Sequence, residues 1–456
     1  MTTADTASIP TTWLIERLPG RSAREIGDGI RALIAAGELL PGQQLPTIRE
    51  LARVAEVSPG TVLTAWNYLR SEGLIETHRR GGTIVLDPRS RPASSDTRPS
   101  WSQIDFLQCA PDITLQPDLR EALLESLEDS SLNVFGREYM TERLQTAAEQ
   151  TWPFEAQAWS TAGGGTEALL LAVAAASDPG DLVAVDEPAS PGLLDTLRDL
   201  SLTPIPVSSD ESGPTPESLR AAFDKGAGAF IFQPGSEFAV DRVVSEERAA
   251  GLAEIAGGLS RVVWIVEDDA IGPLSSRPSP TLGRWLPDRV IRVRSYCKAY
   301  GIDVRTSVLG GSSELVARSI MRRSHGVGSN SRILQNALAH LITDQTADAV
   351  VRRAREAYRR RRDLLVAALH RHGLVTHSGD TGLVVWVEVA DETDALVALA
   401  SRGISVAPAR KAFISPPEAD MIRISPLQIP EDPLVVADLA AIIAMASEGT
   451  ARQFFD

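Results

Sequence analysis

Three short stretches of this 456-residue chain carry side chains whose types and spacing could do chemistry. Thr161-Ala-Gly-Gly-Gly-Thr-Glu-Ala168 is a glycine loop opening a helix that carries Leu169 to Leu171. Backbone amides at a helix start can hold a phosphate, and Gly164, Gly165 and Thr166 would let one come close. A glycine-rich turn before a helix is more often just a turn. Val266-Glu-Asp-Asp269 ends a buried strand, where a carboxylate could pair with a protonated ring nitrogen and make the ring an electron sink. Such an acidic cluster more often caps a helix or holds a loop. Ser295-Tyr-Cys-Lys298 also follows a strand, with Arg305 seven residues beyond the lysine. Lys298, nearly the only lysine in this half of the chain, can form a Schiff base, while Ser295 and Arg305 could close round a phosphate. The plainer alternative is a surface lysine and a structural arginine. Jointly, the three stretches make sense around a phosphorylated pyridine.

The elements that must position these residues are legible in the apolar pattern. Leu182-Val-Ala-Val185, Ala229-Phe-Ile-Phe232, Val262-Val-Trp-Ile-Val266 and Val290-Ile-Arg-Val293 alternate with helical patterns. Runs of this kind, bounded by Gly, Pro and charged residues, predict buried strands of a largely parallel sheet in an α/β domain. Beyond it, an arginine-rich helix (Arg352, Arg353, Arg355, Arg359 to Arg362) leads to strands within 382–389, 404–408 and 421–425, a smaller α+β subdomain. The arginine run is most simply a solvated helix face. Near the other end, Leu45-Pro-Thr-Ile-Arg-Glu-Leu-Ala52 begins a helix capped by Thr47, and Ser58 opens a second helix with Val62, Ala65, Trp66 and Leu69 at helical spacing. Two alternating segments, Leu74 to Thr77 and Thr83 to Val85, flank the basic tip His78-Arg-Arg-Gly-Gly82. This is the pattern of a winged helix-turn-helix, a unit that lays its second helix in a major groove. The net charge of −15 excludes a chain that coats nucleic acid everywhere. Cys109 and Cys297 lie far apart without metal-type spacing, and no stretch suits a signal peptide or membrane span, so a cytoplasmic, reduced protein is expected.

The order of these pieces over residues 13–86 resembles the DNA-binding domain of GntR-type transcriptional regulators, and Leu-Pro-x-x-Arg-Glu-Leu-Ala followed by Ser-x-x-Thr-Val carries the resemblance. The three downstream elements, in this order, resemble fold-type I aminotransferases that use pyridoxal phosphate. A GntR-type head joined to such a domain resembles the MocR subfamily of regulators over nearly the whole chain. Pro179-Gly-Asp-Leu-Val183, Glu187-Pro188, Tyr358 within the arginine helix and Arg423 in Ile422-Arg-Ile also match. The resemblance implies Lys298 as Schiff-base lysine, Asp268 as ring-nitrogen partner, Ser295 and Arg305 as phosphate ligands, and Arg423 as the grip on an effector carboxylate. An arginine near a strand end is otherwise commonly a surface salt-bridge partner. The expected domains are 13–86 (winged helix), 87–102 (linker), 103–345 (aminotransferase-like large domain) and 346–450 (C-terminal helix and small subdomain), in a homodimer that binds operator DNA.

Departures from the family pattern accompany the matches. Ala270 stands where a tyrosine usually meets the cofactor's ring oxygen, and Ala189 and Ser190 stand where an aromatic usually stacks on the ring. A hydrogen bond and a stacking contact, each worth about 1 kcal/mol, would together lower cofactor affinity about tenfold to a hundredfold. Pro59, Gly60 and Leu63 thin the base-reading surface of the second helix, leaving Arg49, Ser58, Thr61, Thr64 and Asn67 as hydrogen-bonding candidates. Arg79 and Arg80 suit phosphate or a neighbouring minor groove. For Thr64 and Asn67 an ordinary exposed helix face is an equal alternative. The function expected is a ligand-responsive transcriptional regulator that senses a small amine, an amino acid or pyridoxal phosphate itself, with negligible turnover. A working aminotransferase with an accessory DNA-binding head and a cofactor-free dimeric repressor are the alternatives.

Overall fold

The computed structural model describes residues 9–448 apart from 72–73, 79–81, 86–100, 137, 191, 236–237, 239–243, 276, 325, 327 and 380–382. Arg79, Arg80, most of the expected linker and the side chain of Asn67 therefore lie outside the described residues. The chain divides into two compact units, Met1–Thr97 and Arg98–Asp456.

In the first unit the helix Ala23–Ala35 starts with a complete capping box, in which Ser22 accepts from the Glu25 amide and Glu25 reaches back to the Ser22 amide. Thr47 caps the helix Ile48–Ala55 in the expected way, accepting from the Glu50 amide at 3.2 Å. The Glu50 carboxylate instead accepts from the Thr11 hydroxyl at 2.8 Å, tying the helix to the preceding segment. Leu51, Ala52, Val62, Ala65, Trp66 and Leu69 are buried together with Ile26 and Ile30, so the apolar spacing of both helices closes one small core. Strands β1 (Gln44–Leu45), β2 (Ile75–His78) and β3 (Gly82–Val85) form an antiparallel sheet in the order β1-β3-β2, which is the wing.

The second unit is built on a seven-stranded sheet: β4 (Ala158–Ala162), β5 (Leu182–Asp186), β6 (Thr203–Val207), β7 (Ala229–Phe232), β8 (Trp264–Asp269), β9 (Val290–Arg294) and β10 (Ser307–Gly311). Its order is β4-β10-β9-β8-β7-β5-β6, and only β10 runs against its neighbours. Helices cover both faces, which is why the strands are apolar at successive positions rather than alternately. The 27-residue helix Gln345–Arg371 leads into the small subdomain, where β11 (Thr376–His377), β12 (Val385–Glu388), β13 (Ala407–Pro408) and β14 (Met421–Ile424) pair antiparallel in the order β11-β12-β14-β13. No described helix is long and apolar enough to cross a membrane.

The arginine-rich helix departs from the expected solvated face. Arg355 donates to the carbonyls of Pro273 and Leu274, Arg361 pairs with Asp112 at 2.9 Å, and Arg362 donates to the Gly379 carbonyl at 2.8 Å. Only part of the run faces water. The rest anchors loops of both subdomains to the connecting helix, through carbonyls whose positions no local sequence pattern reveals.

Candidate functional site

The topology brings the candidate residues to one edge of the large sheet. Asp268 is the second-last residue of β8, Ser295 follows β9, Gln233 follows β7 and the glycine loop follows β4, all at carboxyl ends of like-directed strands. Because β10 is reversed, Arg305 just before it belongs to the same edge. The crevice outside the carboxyl ends of strands is where open α/β sheets hold ligands.

Side-chain geometry links these pieces. Gly164, at φ +135, is the residue before the helix Gly165–Ala176, a backbone conformation that favours glycine. A methyl group there would lie 3.9 Å from Arg305 Nη1, and one on Gly165 would lie 3.1 Å from Ser295 Oγ. The first-turn amides of that helix lack partners within it, and the glycines that precede and open the helix lie beside the Ser295 hydroxyl and the Arg305 guanidinium. Arg305 is exposed, and its side chain makes no hydrogen bond or ion pair among the described residues. Its backbone is left-handed at φ +44 and is pinned by Asn330, whose amide donates to the carbonyls of both Ala162 (2.7 Å) and Arg305 (3.1 Å). Arg323 in turn donates to the Asn330 side-chain oxygen at 2.6 Å and to Glu167 at 3.0 Å, and Glu167 accepts from the Gly163 amide. This chain of contacts holds the glycine loop and Arg305 as one cradle.

At the other end of the site, Asp268 is buried and accepts from the Gln233 amide nitrogen at 3.2 Å. The Gln233 side-chain oxygen is buried with no partner among the described residues, an acceptor still open. Glu267 and Asp269 project to the opposite face of β8, as the two-residue period of a strand requires. There Arg292 donates to Glu267 (2.8 Å) and Asp269 (3.2 Å), and Arg294 donates to Asp269 (2.7 Å). The plain alternative for the acidic cluster thus describes two of its three carboxylates. Lys298 is half-buried on the short helix Cys297–Tyr300, whose preceding Ser295 hydroxyl meets Cys297 Sγ at 3.2 Å. Arg423 on β14 is buried rather than at the surface, donates to the Leu107 carbonyl at 3.2 Å and lies 5.2 Å from the Phe238 ring centre. Glu187 accepts from the amides of Ile414 and Ser415, joining the end of β5 to the small subdomain, and burial pushes its carboxyl up.

Two ends of a phosphorylated pyridine fit these residues: an anion cradle of helix amides, Ser295 and Arg305, and a buried carboxylate at Asp268 for a ring nitrogen. The middle is bare, since Ala270 and Ala189 offer neither a hydroxyl nor a ring. Ser190 brings a hydroxyl that is buried and unpartnered among the described residues. Asn330, Arg323 and Gln233 were not predicted as site residues; Asn330 sits in an unremarkable Ser-Asn-Ser turn, whereas the end of the buried run 229–232 could have pointed to Gln233.

In the winged-helix unit Arg49, Ser58 and Thr64 are exposed and Thr61 is half-exposed. Ser58 accepts from the Thr61 amide at 3.1 Å and its hydroxyl is hydrogen-bonded to the Thr61 hydroxyl at 2.9 Å, capping the helix Pro59–Ser71. Thr64 donates its only hydroxyl proton to the Gly60 carbonyl at 2.9 Å, which leaves its oxygen as an acceptor only.

Comparison with known proteins agrees with both halves. Residues 22–85 match the family described as bacterial regulatory proteins, gntR family, and residues 274–431 match aminotransferase class I and II. The chain is 28% identical to the vitamin B6 salvage pathway transcriptional repressor PtsJ of Salmonella typhimurium, over 92% of this chain and 98% of that protein. It is 24% identical to the pyridoxine biosynthesis regulator PdxR of Corynebacterium glutamicum (84% and 86% covered) and 26% identical to the probable rhizopine catabolism regulator MocR of Rhizobium meliloti (88% and 89%). Among solved structures, an aspartate aminotransferase of Thermus thermophilus superposes with TM-score 0.64 at 22% identity, covering 75% of this chain and 95% of that one. A multiple-substrate aminotransferase of Thermococcus profundus gives 0.67 at 17% identity, with 78% and 94% covered. A GntR-type winged helix joined to a fold-type I aminotransferase domain, in a chain that aligns with such regulators along most of its length, is the architecture of the MocR-type GntR transcriptional regulators.

Proposed function

We propose that the aminotransferase-like half of this regulator binds pyridoxal phosphate, or a small amine or amino acid that reacts with it, and that occupancy alters operator binding by the winged helix. The observation that carries this reading is the convergence of Gly164, Gly165, Ser295 and Arg305 beside a buried Asp268 and the half-buried Lys298. Thr166 adds a first-turn amide to the cradle. When bound, the cofactor supplies an electrophilic carbon for amines. Lys298 would hold it covalently there, Asp268 would keep a proton on the ring nitrogen, and the cradle would neutralise the phosphate. Arg423 would receive the carboxylate of an amino-acid effector competing with Lys298 for the same carbon. An effector that favours one arrangement of the two units shifts DNA affinity by its differential binding. Two relatives bear names tied to vitamin B6, which favours an effector of that chemistry. A homodimer is part of the proposal: Ile113, Leu124, Leu127, Val134 and Phe135 are exposed apolar side chains close together in sequence, with Phe135 fully exposed. The head would be cytoplasmic and would meet DNA through Arg49, Ser58, Thr61, Thr64, Asn67, Arg79 and Arg80.

Titration of the purified protein with pyridoxal phosphate should produce a visible absorption band that borohydride fixes to Lys298. The chain has only three lysines, Lys225, Lys298 and Lys411, so peptide mapping is decisive. Lys298→Ala should abolish the band. A wild-type protein that gives none at saturating cofactor would make the domain a cofactor-free scaffold, with Asp268 and Arg305 in structural roles.

A further inference from the structure

Behind the face of β8 that bears Asp268, a cavity of about 620 Å³ lies against Asp269 and is lined by none of the residues assigned above to the cofactor or effector. Its volume is in the range of small-molecule sites. Four arginines, Arg277, Arg284, Arg294 and Arg355, face two aspartates, Asp269 and Asp348, so the cavity is locally positive in a chain of net charge −15.

The distribution of that charge matters more than the count. Arg294 is neutralised by Asp269 at 2.7 Å, and Arg284, at the rim, by Glu246 at 3.2 Å. Asp348 is engaged by Arg352 at 3.1 Å on its own helix. Arg355 donates through Nε and Nη2 to the carbonyls of Leu274 (3.2 Å) and Pro273 (2.8 Å) and has no carboxylate within ion-pair distance among the described residues. Carbonyls orient a guanidinium without cancelling its charge, so a half-buried cation is held in place with its Nη1 protons open. Apolar walls surround it: Trp152, whose ring lies 4.8 Å from the Arg294 guanidinium carbon, and Tyr300, stacked on Tyr296 at 6.1 Å.

We propose that this cavity is a second ligand site, for a small ring-bearing organic anion whose phosphate or carboxylate meets Arg355 and Arg277. The reading is independent of the cofactor proposal. Its wall touches the Lys298 segment all the same: the Ser295 amide donates to the Asp269 carbonyl at 3.1 Å, and Gly272, at φ +50, sits so close that a methyl group on it would lie 2.3 Å from the Ser295 carbonyl oxygen.

The test is calorimetric titration of the full-length protein with phenyl phosphate and, separately, benzoate, in wild type and in a Lys298→Ala/Arg305→Ala variant that lacks the other anion cradle. One saturable site per chain is expected to remain in that variant, weakened about tenfold or more by adding Arg355→Gln. Arg277 is exposed, so Arg277→Glu tests the same site without touching the core and should weaken binding similarly. The preferred probe identifies the head group as phosphate or carboxylate. Absence of saturable binding by either probe at millimolar concentration overturns the proposal, as does binding that is lost with Arg305→Ala and survives Arg277→Glu.

Discussion

Three consecutive carboxylates at the end of β8 have two fates, and the strand's period decides which. Asp268 turns to the proposed cofactor site, while Glu267 and Asp269 turn to Arg292 and Arg294, which β9 presents in register at alternate positions. Burial alone would raise the Asp269 carboxyl, but the Arg292 and Arg294 guanidinia overcome it and hold the group at about 2, below its usual 3.8. A depressed carboxyl stabilises the fold above its unfolded value and loses that contribution as pH falls through the folded one. Between pH 3.8 and about 2 the unfolded chain takes up a proton that native Asp269 refuses, so stability falls by about 2 kcal/mol across that window. Glu267, pushed up by burial, titrates above its usual 4.5 and adds little slope there. Denaturant melts of wild type and Asp269→Asn between pH 4 and 2.5 should show a shallower pH dependence in the variant. An unchanged slope would remove Asp269 from this role. At this scale the sequence offered Asp268, Lys298 and Arg305 through their spacing. It hid Asn330 and Arg323, because a side chain that orients a distant backbone carbonyl leaves no local pattern.

Elements were legible where burial on both faces forces a continuous apolar run, as in β5, β7, β8 and β9. They were not where another constraint overrides that composition. β6 carries Pro204 and Pro206, tolerated because it is an edge strand paired only with β5. β10 ends in Gly310 and Gly311 in mid-sheet, and a methyl group on Gly310 would lie 2.6 Å from the Trp159 ring, so close ring packing selects the glycine that weakens the strand signal. The helix-turn-helix was read from its caps and apolar spacing, although its turn contains an unusual residue. Glu56 ends the helix Ile48–Ala55 in a left-handed conformation, φ 54 and ψ 41, where a side chain costs about 1–2 kcal/mol. Its exposed 3.6 Å pairing with Arg21 returns little. Glycine would relieve the strain but lose about 0.5–1 kcal/mol to unfolded-chain entropy. Glu56→Gly should therefore stabilise the winged helix by about 0.5–1 kcal/mol, seen as a rise in the midpoint of its thermal transition. A fall in that midpoint would mean that the Arg21 contact outweighs the strain.

Charge is divided unevenly over the whole molecule. Residues 13–86 hold nine arginines against eight acidic residues, so all of the net negative charge of −15 lies outside the winged helix. The protein as a whole should be repelled by DNA at long range, and the proposed interface is the small surface that carries the exposed Arg49 and the half-exposed Thr61. Release of counterions from the few phosphates met by two heads of the proposed dimer should make affinity steeply salt-dependent, falling on the order of a thousandfold between about 50 and 200 mM salt. Arg49→Ala should weaken binding across sequences and, if Arg49 meets phosphate in each head, lower the slope of log affinity against log salt by about two. Fluorescence anisotropy with a promoter fragment, repeated across a salt series, measures both quantities. A chain lacking residues 1–86 should bind no DNA under any of these conditions; equal binding by that truncated chain would move the interface to the large unit and overturn the assignment of the winged helix.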